Sequence, residues 1–67
     1  MIGLFTVHDN RVCEIVSEPF VITNGEDSWD YIVIVDCDTR DQFQIETDQA
    51  KKLFKTELEA KNYKKDS

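Results

Sequence analysis

The amino-acid sequence predicts a small, mainly β domain: a five-stranded antiparallel meander followed by one C-terminal helix. Short runs rich in β-branched and aromatic residues continue as far as Ile45, and turn-forming residues separate them. After Asp48 the apolar residues change to a helical spacing. The 67 residues suffice for one domain with a small core, which we place over residues 1–60.

The first two strands form a hairpin. Residues 2–8 are rich in β-forming side chains, and Asp9 and Asn10 then supply a tight turn because both tolerate turn geometry. Residues 11–17 form the second strand. Their apolar positions do not alternate strictly, so we expect a bulge near Glu14.

Pro19 interrupts strand pairing because it has no backbone N–H. A short third strand over residues 20–23 follows, at a sheet edge or after a bend. Asn24-Gly25 is the strongest turn signal in the chain. The polar residues after it are poor strand formers, so we interpret residues 24–30 as a longer loop.

The fourth and fifth strands carry the clearest patterns. Residues 31–37 form a β-branched run that is apolar on both faces, which suits the centre of a sheet. Residues 38–41 turn the chain. Residues 42–46 then alternate, with Phe43 and Ile45 directed inward.

The helix is predicted over residues 48–60. Thr47 or Asp48 can cap it by accepting hydrogen bonds from its free N–H groups. Its apolar residues fall on one face: Ala50, Leu53, Phe54 and Leu58. Residues 61–67 are then a frayed basic tail, whose removal we expect to leave the fold intact.

Five strands in so short a chain are most economically arranged as a strongly bent sheet, closed or nearly closed. This arrangement resembles an SH3-like barrel in its architecture. An open sheet with the helix across it is the competing arrangement. No motif in the chain indicates a family.

Charge is unevenly distributed along the chain. Residues 1–50 carry eleven acidic and two basic side chains, a net charge of −9, whereas residues 51–67 carry six lysines and three acids, a net charge of +3. An acidic body repels phosphate backbones, so nucleic-acid binding by the body is not expected. The chain shows neither a signal-peptide pattern nor a membrane span, and its two cysteines fit a cytoplasmic, reduced setting.

Candidate catalytic and metal-binding residues are few. His8 can form a dyad with Cys13 or Cys37 only if the fold brings them together, and a turn-flanking histidine is the simpler interpretation. The spacing of these residues does not match a zinc site, so we expect no metal and no cofactor. Asp36-x-Asp38-x-x-Asp41 superficially resembles a calcium loop but lacks its glycine and glutamate.

The candidate binding site is the acidic, aromatic segment after Asn24. Trp and Tyr dominate binding hot spots, because they bury a large area at little entropic cost. The site residues we predict are Glu26, Asp27, Trp29, Asp30 and Tyr31. The alternative is that Trp29 folds back and closes one end of the barrel.

We expect a non-enzymatic protein-interaction module with an unidentified protein partner, of a size that suits an accessory protein of a virus or microbe. One alternative is an acidic inhibitor that mimics nucleic acid and blocks a basic protein surface. Another is a small barrel that contacts RNA through its lysine-rich helix. We also expect a homodimer that pairs through the first strand or its neighbouring apolar face and tightens as salt is raised, because residues 2–7 carry no charge to guard that edge.

Overall fold

A computed structural model describes residues 1–66 and shows a five-stranded antiparallel sheet that curls into a half-barrel, with one C-terminal helix. The predicted fold class, five antiparallel strands in a strongly bent sheet with one C-terminal helix, is confirmed. The predicted meander order is not followed, because the second strand pairs with the fourth and not with the third. The elements in chain order are β1 (Phe5–His8), β2 (Arg11–Ile15), β3 (Phe20–Asn24), β4 (Asp27–Asp36), β5 (Gln42–Glu46), a 3₁₀ helix (Thr47–Gln49) and α1 (Glu57–Asp66).

The longest strand, β4, organises the sheet because it pairs with three others. On one edge, its residues 34–36 pair with β2 and its residues 27–31 pair with β3. On the opposite edge, its residues 31–35 pair with β5. β2 and β3 therefore follow one another along the same edge of β4, and the chain bends between them.

The bend at residues 16–19 is closed by a side chain. The Val16 N–H still donates to the Val33 carbonyl at 3.0 Å, and the Val33 N–H donates to the Ser17 hydroxyl at 2.9 Å. Pro19 follows, and its missing N–H suits a position where the ladder is interrupted. The bend predicted at Pro19 is thus present.

The core lies on the concave face of the sheet. Buried residues alternate with partly exposed ones along β4, as expected for a strand with one face inward. The core consists of Cys13, Ile15, Ile32, Ile34 and Ile45, against which Met1, Leu4, Phe43 and Ala50 pack.

The bulge predicted near Glu14 is not in β2 but in the chain opposite it. Gly3 and Leu4 together face Ile15, since the Gly3 N–H donates to the Ile15 carbonyl at 3.1 Å and the Ile15 N–H donates to the Leu4 carbonyl at 2.8 Å. β2 pairs in unbroken register with β1 and β4. Its apolar residues fail to alternate because both faces are covered: Cys13 and Ile15 belong to the core, whereas Val12 lies on the other face beside Lys61 and is only 5% exposed.

The loop predicted over residues 24–30 is also wrong. Asn24 lies opposite Asp27, so Gly25 and Glu26 alone form the turn. Gly25 has a φ of 66°, and glycine at the first central position is typical of a type II′ hairpin turn. Pairing with β3 and continuity with the β-branched half of β4 outweigh the weak strand propensity of these polar residues.

The helix begins later than predicted. Residues 47–49 make only a 3₁₀ turn, and the α-helix starts after Thr56, whose hydroxyl accepts a hydrogen bond from the Glu59 N–H at 3.2 Å. A threonine followed three residues later by glutamate is a capping-box sequence, and it occurs here rather than at Thr47. The described part of the predicted frayed tail is therefore helical, and Ser67 lies outside the described residues.

The segment before α1 covers the edge of β1. Phe54 and Phe5 exchange two backbone hydrogen bonds of 2.8 Å, and the Thr6 hydroxyl donates to the Lys52 carbonyl at 3.0 Å. The open edge on which we based the homodimer prediction is therefore closed at Phe5. Dimerisation through this strand lacks that support and stays a prediction.

Tyr63 should contribute to stability, contrary to the expectation that residues 61–67 are dispensable. Its ring lies 5.3 Å from that of Phe54, between centroids. Tyr63→Ala should lower the free energy of unfolding by about 1 kcal/mol, the typical worth of an aromatic pair. Urea denaturation followed by circular dichroism measures this.

The neighbouring Asn62→Ala is the matched control, since Asn62 is exposed. It should change the free energy of unfolding by less than about 0.5 kcal/mol. Equal stabilities for the two variants would contradict the packing of Tyr63.

Candidate functional site

The β3–β4 hairpin projects from the body of the protein as a two-stranded arm. We define the arm as residues 20–31, the paired part of the two strands. β5 begins to pair with β4 at Tyr31, so residues 27–30 have β3 alone beside them. Residues 21–30 are all exposed, and the molecule is elongated, with extents of 40 × 21 × 18 Å.

One face of the arm carries an apolar and aromatic stripe. Ile22 lies opposite Trp29, and Phe20 lies opposite Tyr31 with ring centroids 6.2 Å apart. Residues directly opposite one another in an antiparallel pair share a face. Ile22 and Trp29 are each 40% exposed, so the outer half of this stripe contacts solvent.

Trp29 does not close the barrel, and that alternative interpretation is wrong. Ile32 and Ile34 point into the core, so Trp29, an odd number of residues away from both, points to the outer face. It also lies beyond Tyr31, where the body of the sheet ends. An indole at this position is presented to solvent or to a partner.

The other predicted site residues divide between the turn and the two faces of the arm. Glu26 lies in the turn, and Asp27 lies opposite Asn24 at the tip, on the face of Trp29. Asp30 lies opposite Val21, on the face that continues the concave side of the sheet. The structure therefore brings Trp29 and Tyr31 together and separates them from Asp30.

Sequence reasoning missed the β3 half of the site. Phe20 and Ile22 complete the stripe, and Val21, which is 61% exposed, is the most open apolar residue of the arm. Asn24-Gly25 flanked by apolar residues is a hairpin signal. Ile22 pairs with Trp29 because Gly25 and Glu26 form the turn; with Asn24 and Gly25 as the turn residues, Phe20 would pair with Trp29 instead.

The arm lies within a stretch of chain that has no positive side chain. Between Arg11 and Arg40 the sequence contains seven acidic residues and no lysine or arginine. Three of the seven are on the arm: Glu26, Asp27 and Asp30. Negative charge therefore lies at the tip of the apolar stripe and on the opposite face of the arm.

The lysines near the C-terminus lie on a different part of the molecule. The Lys61 ammonium pairs with Glu57 at 2.8 Å, and the Lys52 ammonium lies 4.9 Å from the centre of the Tyr63 ring. Glu57 and Lys61 are four residues apart in α1, whereas Lys55, four residues before Glu59, precedes the helix. An open depression of about 500 Å³ is lined by Asn10, Val12, Asp38, Lys61, Lys64 and Lys65.

The cysteines and the histidine do not converge on a catalytic centre. His8 ends β1 opposite Arg11, beside the turn. Cys13 is fully buried in the core, and both cysteines are free thiols. Burial, together with a hydrogen bond to the Glu57 carboxylate, raises the pKa of Cys37 to about 11, so this thiol is a poor nucleophile at neutral pH.

Asp36 organises the acidic turn that superficially resembles a calcium loop. Its carboxylate accepts hydrogen bonds from the N–H groups of Asp38 at 2.7 Å and Thr39 at 3.1 Å, and it pairs with Arg11 at 3.3 Å. The backbone bonds from Thr39 and Asp38 lower its pKa, with a further contribution from Arg11. Within residues 1–66, no three His, Cys, Asp or Glu side chains are grouped so that they can hold a metal ion.

No protein-family model, curated protein or solved structure matches this chain. No helix within residues 1–66 has the length and apolar character needed to cross a membrane. The chemistry of the site must therefore be argued from its own residues.

Asp36→Ala should lower the melting temperature clearly, because it leaves Arg11 without its buried partner and two turn N–H groups without an acceptor. Folding lowers the pKa of Asp36, so the ionised carboxylate stabilises the folded protein at pH values above the ordinary pKa of aspartate. This stabilisation is lost as the pH falls through the lowered pKa of the folded protein. The variant should therefore show a flatter dependence of melting temperature on pH below about pH 4. Differential scanning fluorimetry with an external dye measures both effects.

Asp38→Ala is the matched control, because Asp38 is an exposed residue of the same turn. It should leave the melting temperature nearly unchanged. If the two variants melt alike at every pH, Asp36 does not organise the turn.

Proposed function

We propose that the protein is a non-enzymatic interaction module that binds a protein partner through the β3–β4 arm. The observation that carries this proposal is the exposure of Ile22 and Trp29 side by side on a projecting hairpin. A chain this small has few apolar residues to bury, and placing a tryptophan outside its core costs stability. Binding a partner accounts for that cost.

The stripe has the composition of a binding hot spot. Trp and Tyr are enriched at such sites, and polar residues commonly surround an apolar centre. Here Trp29 and Tyr31 supply the aromatic groups, and Glu26 and Asp27 supply polar groups at the tip of the arm, whereas Asp30 lies on the opposite face. We expect the partner surface to be apolar at its centre and basic around it.

The acidic inhibitor is the second candidate, because one observation favours it. The seven acids between Arg11 and Arg40 carry a charge that suits a basic, nucleic-acid-binding surface. Binding that weakens steeply with added salt supports this candidate. Binding that is lost when Ile22 and Trp29 are replaced supports recognition by the apolar stripe, whether or not it also weakens with salt.

RNA contact through the helix is less favoured. Lys61 is already paired with Glu57, and Lys52 is placed over Tyr63. The ion pair offsets the charge of Lys61, which therefore contributes less to phosphate binding, and the contact with the ring orients Lys52 without neutralising it. We further place the module in the cytoplasm, which is supported by the two free thiols.

Replacing both exposed residues, as Ile22→Thr with Trp29→Thr, should abolish partner capture while keeping the strands, because threonine favours β structure. Each protein is used as bait in an extract of the source cells. The double variant should recover at least about tenfold less partner than the wild-type protein does. Quantitative mass spectrometry of the captured proteins measures this.

Leu58→Gln is the matched control, since Leu58 is 67% exposed on α1, away from the arm. It should capture the same proteins as the wild type. Equal capture by the arm variant would exclude the arm as the binding site.

A further inference from the structure

The backbone of β3 presents unpaired hydrogen-bonding groups along its outer edge. Because the turn has two residues, Asn24 and Asp27 form a hydrogen-bonded pair and the pattern alternates from there. The backbone N–H and C=O groups of Val21 and Thr23 consequently point away from β4. The same alternation makes the Val33 carbonyl face the side of β2 and β3, where it accepts the Val16 N–H.

Within the described residues, β3 is the terminal strand of its edge of the sheet. The other outer edges differ from it. The edge of β1 is bonded to Phe54. The outer edge of β4 along the arm carries Asp27 and Asp30, and β5 ends in Glu46, whose N–H donates to the Gln49 side chain at 3.0 Å. β3 also carries no charged side chain between Phe20 and Asn24, although charges are the usual protection of an exposed strand edge.

We propose that the outer edge of β3 binds an extended, lysine- or arginine-bearing segment of the partner, which adds to the sheet as a further strand. This rests on the proposed function, because it assigns the mode by which the arm binds. Strand addition derives its affinity from main-chain hydrogen bonds, here with Val21 and Thr23, and its specificity from alternate side chains.

Charge complementarity decides the occupant. An added strand directs alternate side chains to the two faces of the arm. The apolar side chains of the added strand lie beside Phe20 and Ile22, and its basic side chains lie on the face of the arm that carries Asp30. A second copy of this chain is disfavoured, because it brings its own acidic arm against the first.

The probe is a capped hexapeptide of alternating valine and lysine, titrated into ¹⁵N-labelled protein, with a valine–glutamate hexapeptide as its control. The first should shift the Val21 and Thr23 amides in a saturable manner that weakens with salt and should slow their hydrogen exchange, leaving Ser28 unaffected. The second should not bind. Failure of the lysine peptide to bind the wild-type protein would overturn the proposal.

Two proline variants distinguish the two edges of the arm. Thr23 and Ser28 lie opposite each other, and each directs its N–H outward from the hairpin. Thr23→Pro removes the donor on β3 and should weaken binding about tenfold, the worth of one hydrogen bond. Ser28→Pro removes the donor on β4 and should change affinity by less than about twofold. Thr23→Val keeps the N–H and should likewise change affinity by less than about twofold.

The Ile32 and Ile34 amide shifts report whether each variant retains the core.

The remaining outcomes separate this proposal from the proposed function. Binding that survives Thr23→Pro but is lost with Ile22→Thr and Trp29→Thr would overturn strand addition and leave the arm as the binding site. Binding that survives all these variants would remove both. Concentration-dependent shifts of Val21 and Thr23 without peptide would assign the edge to a second copy of the chain and overturn the proposal.

Discussion

The structure depends on the pairing of β4, whose ten residues are more than the core can cover. Its half from Tyr31 to Asp36 is β-branched and apolar, pairs on both edges and provides Ile32 and Ile34 to the core. Its other half, residues 27–30, is polar and pairs with β3 alone. One strand thus belongs both to the core and to the arm.

This division requires the bend between β2 and β3. An uninterrupted strand from Arg11 to Asn24 would follow β4 along its whole edge and would stiffen the junction of arm and body. Instead Ser17 supplies a side-chain acceptor for the Val33 N–H, and Pro19 supplies no donor. The sheet can therefore curl around its core on one side of the bend while the arm continues straight on the other.

The arm is the least stable part of such a fold. A two-stranded ribbon is marginally stable in water unless it packs against something else. Here it is continuous with the sheet, and the pairs Ile22–Trp29 and Phe20–Tyr31 link its strands. Segments with few buried contacts open most readily, and binding regions are often found among them.

The local sequence determines some of these features and not others. Asp9-Asn10 adopts the predicted turn, with positive φ at both residues, and Gln42–Glu46 is the predicted strand, because each depends on its own side chains. The polar residues after Gly25 become a strand only through pairing with β3.

The helix prediction shows the same dependence on distant partners. Residues 50–55 have helical spacing, but Phe54 pairs with Phe5 instead, a contact between distant parts of the chain. Trp29, one of the predicted site residues, is exposed on the arm. Ile22 was not among the predicted site residues, because it becomes the neighbour of Trp29 only once the register of the hairpin is known.

The most direct test of this account is a search for Hα–Hα nuclear Overhauser effects across the arm in the free protein. Pairs without mutual hydrogen bonds bring their Cα atoms closest, and in this register those pairs are Thr23–Ser28 and Val21–Asp30. The account predicts strong cross-peaks for both. Their absence, with random-coil shifts over residues 21–30, would show a loop instead of an arm and would contradict it.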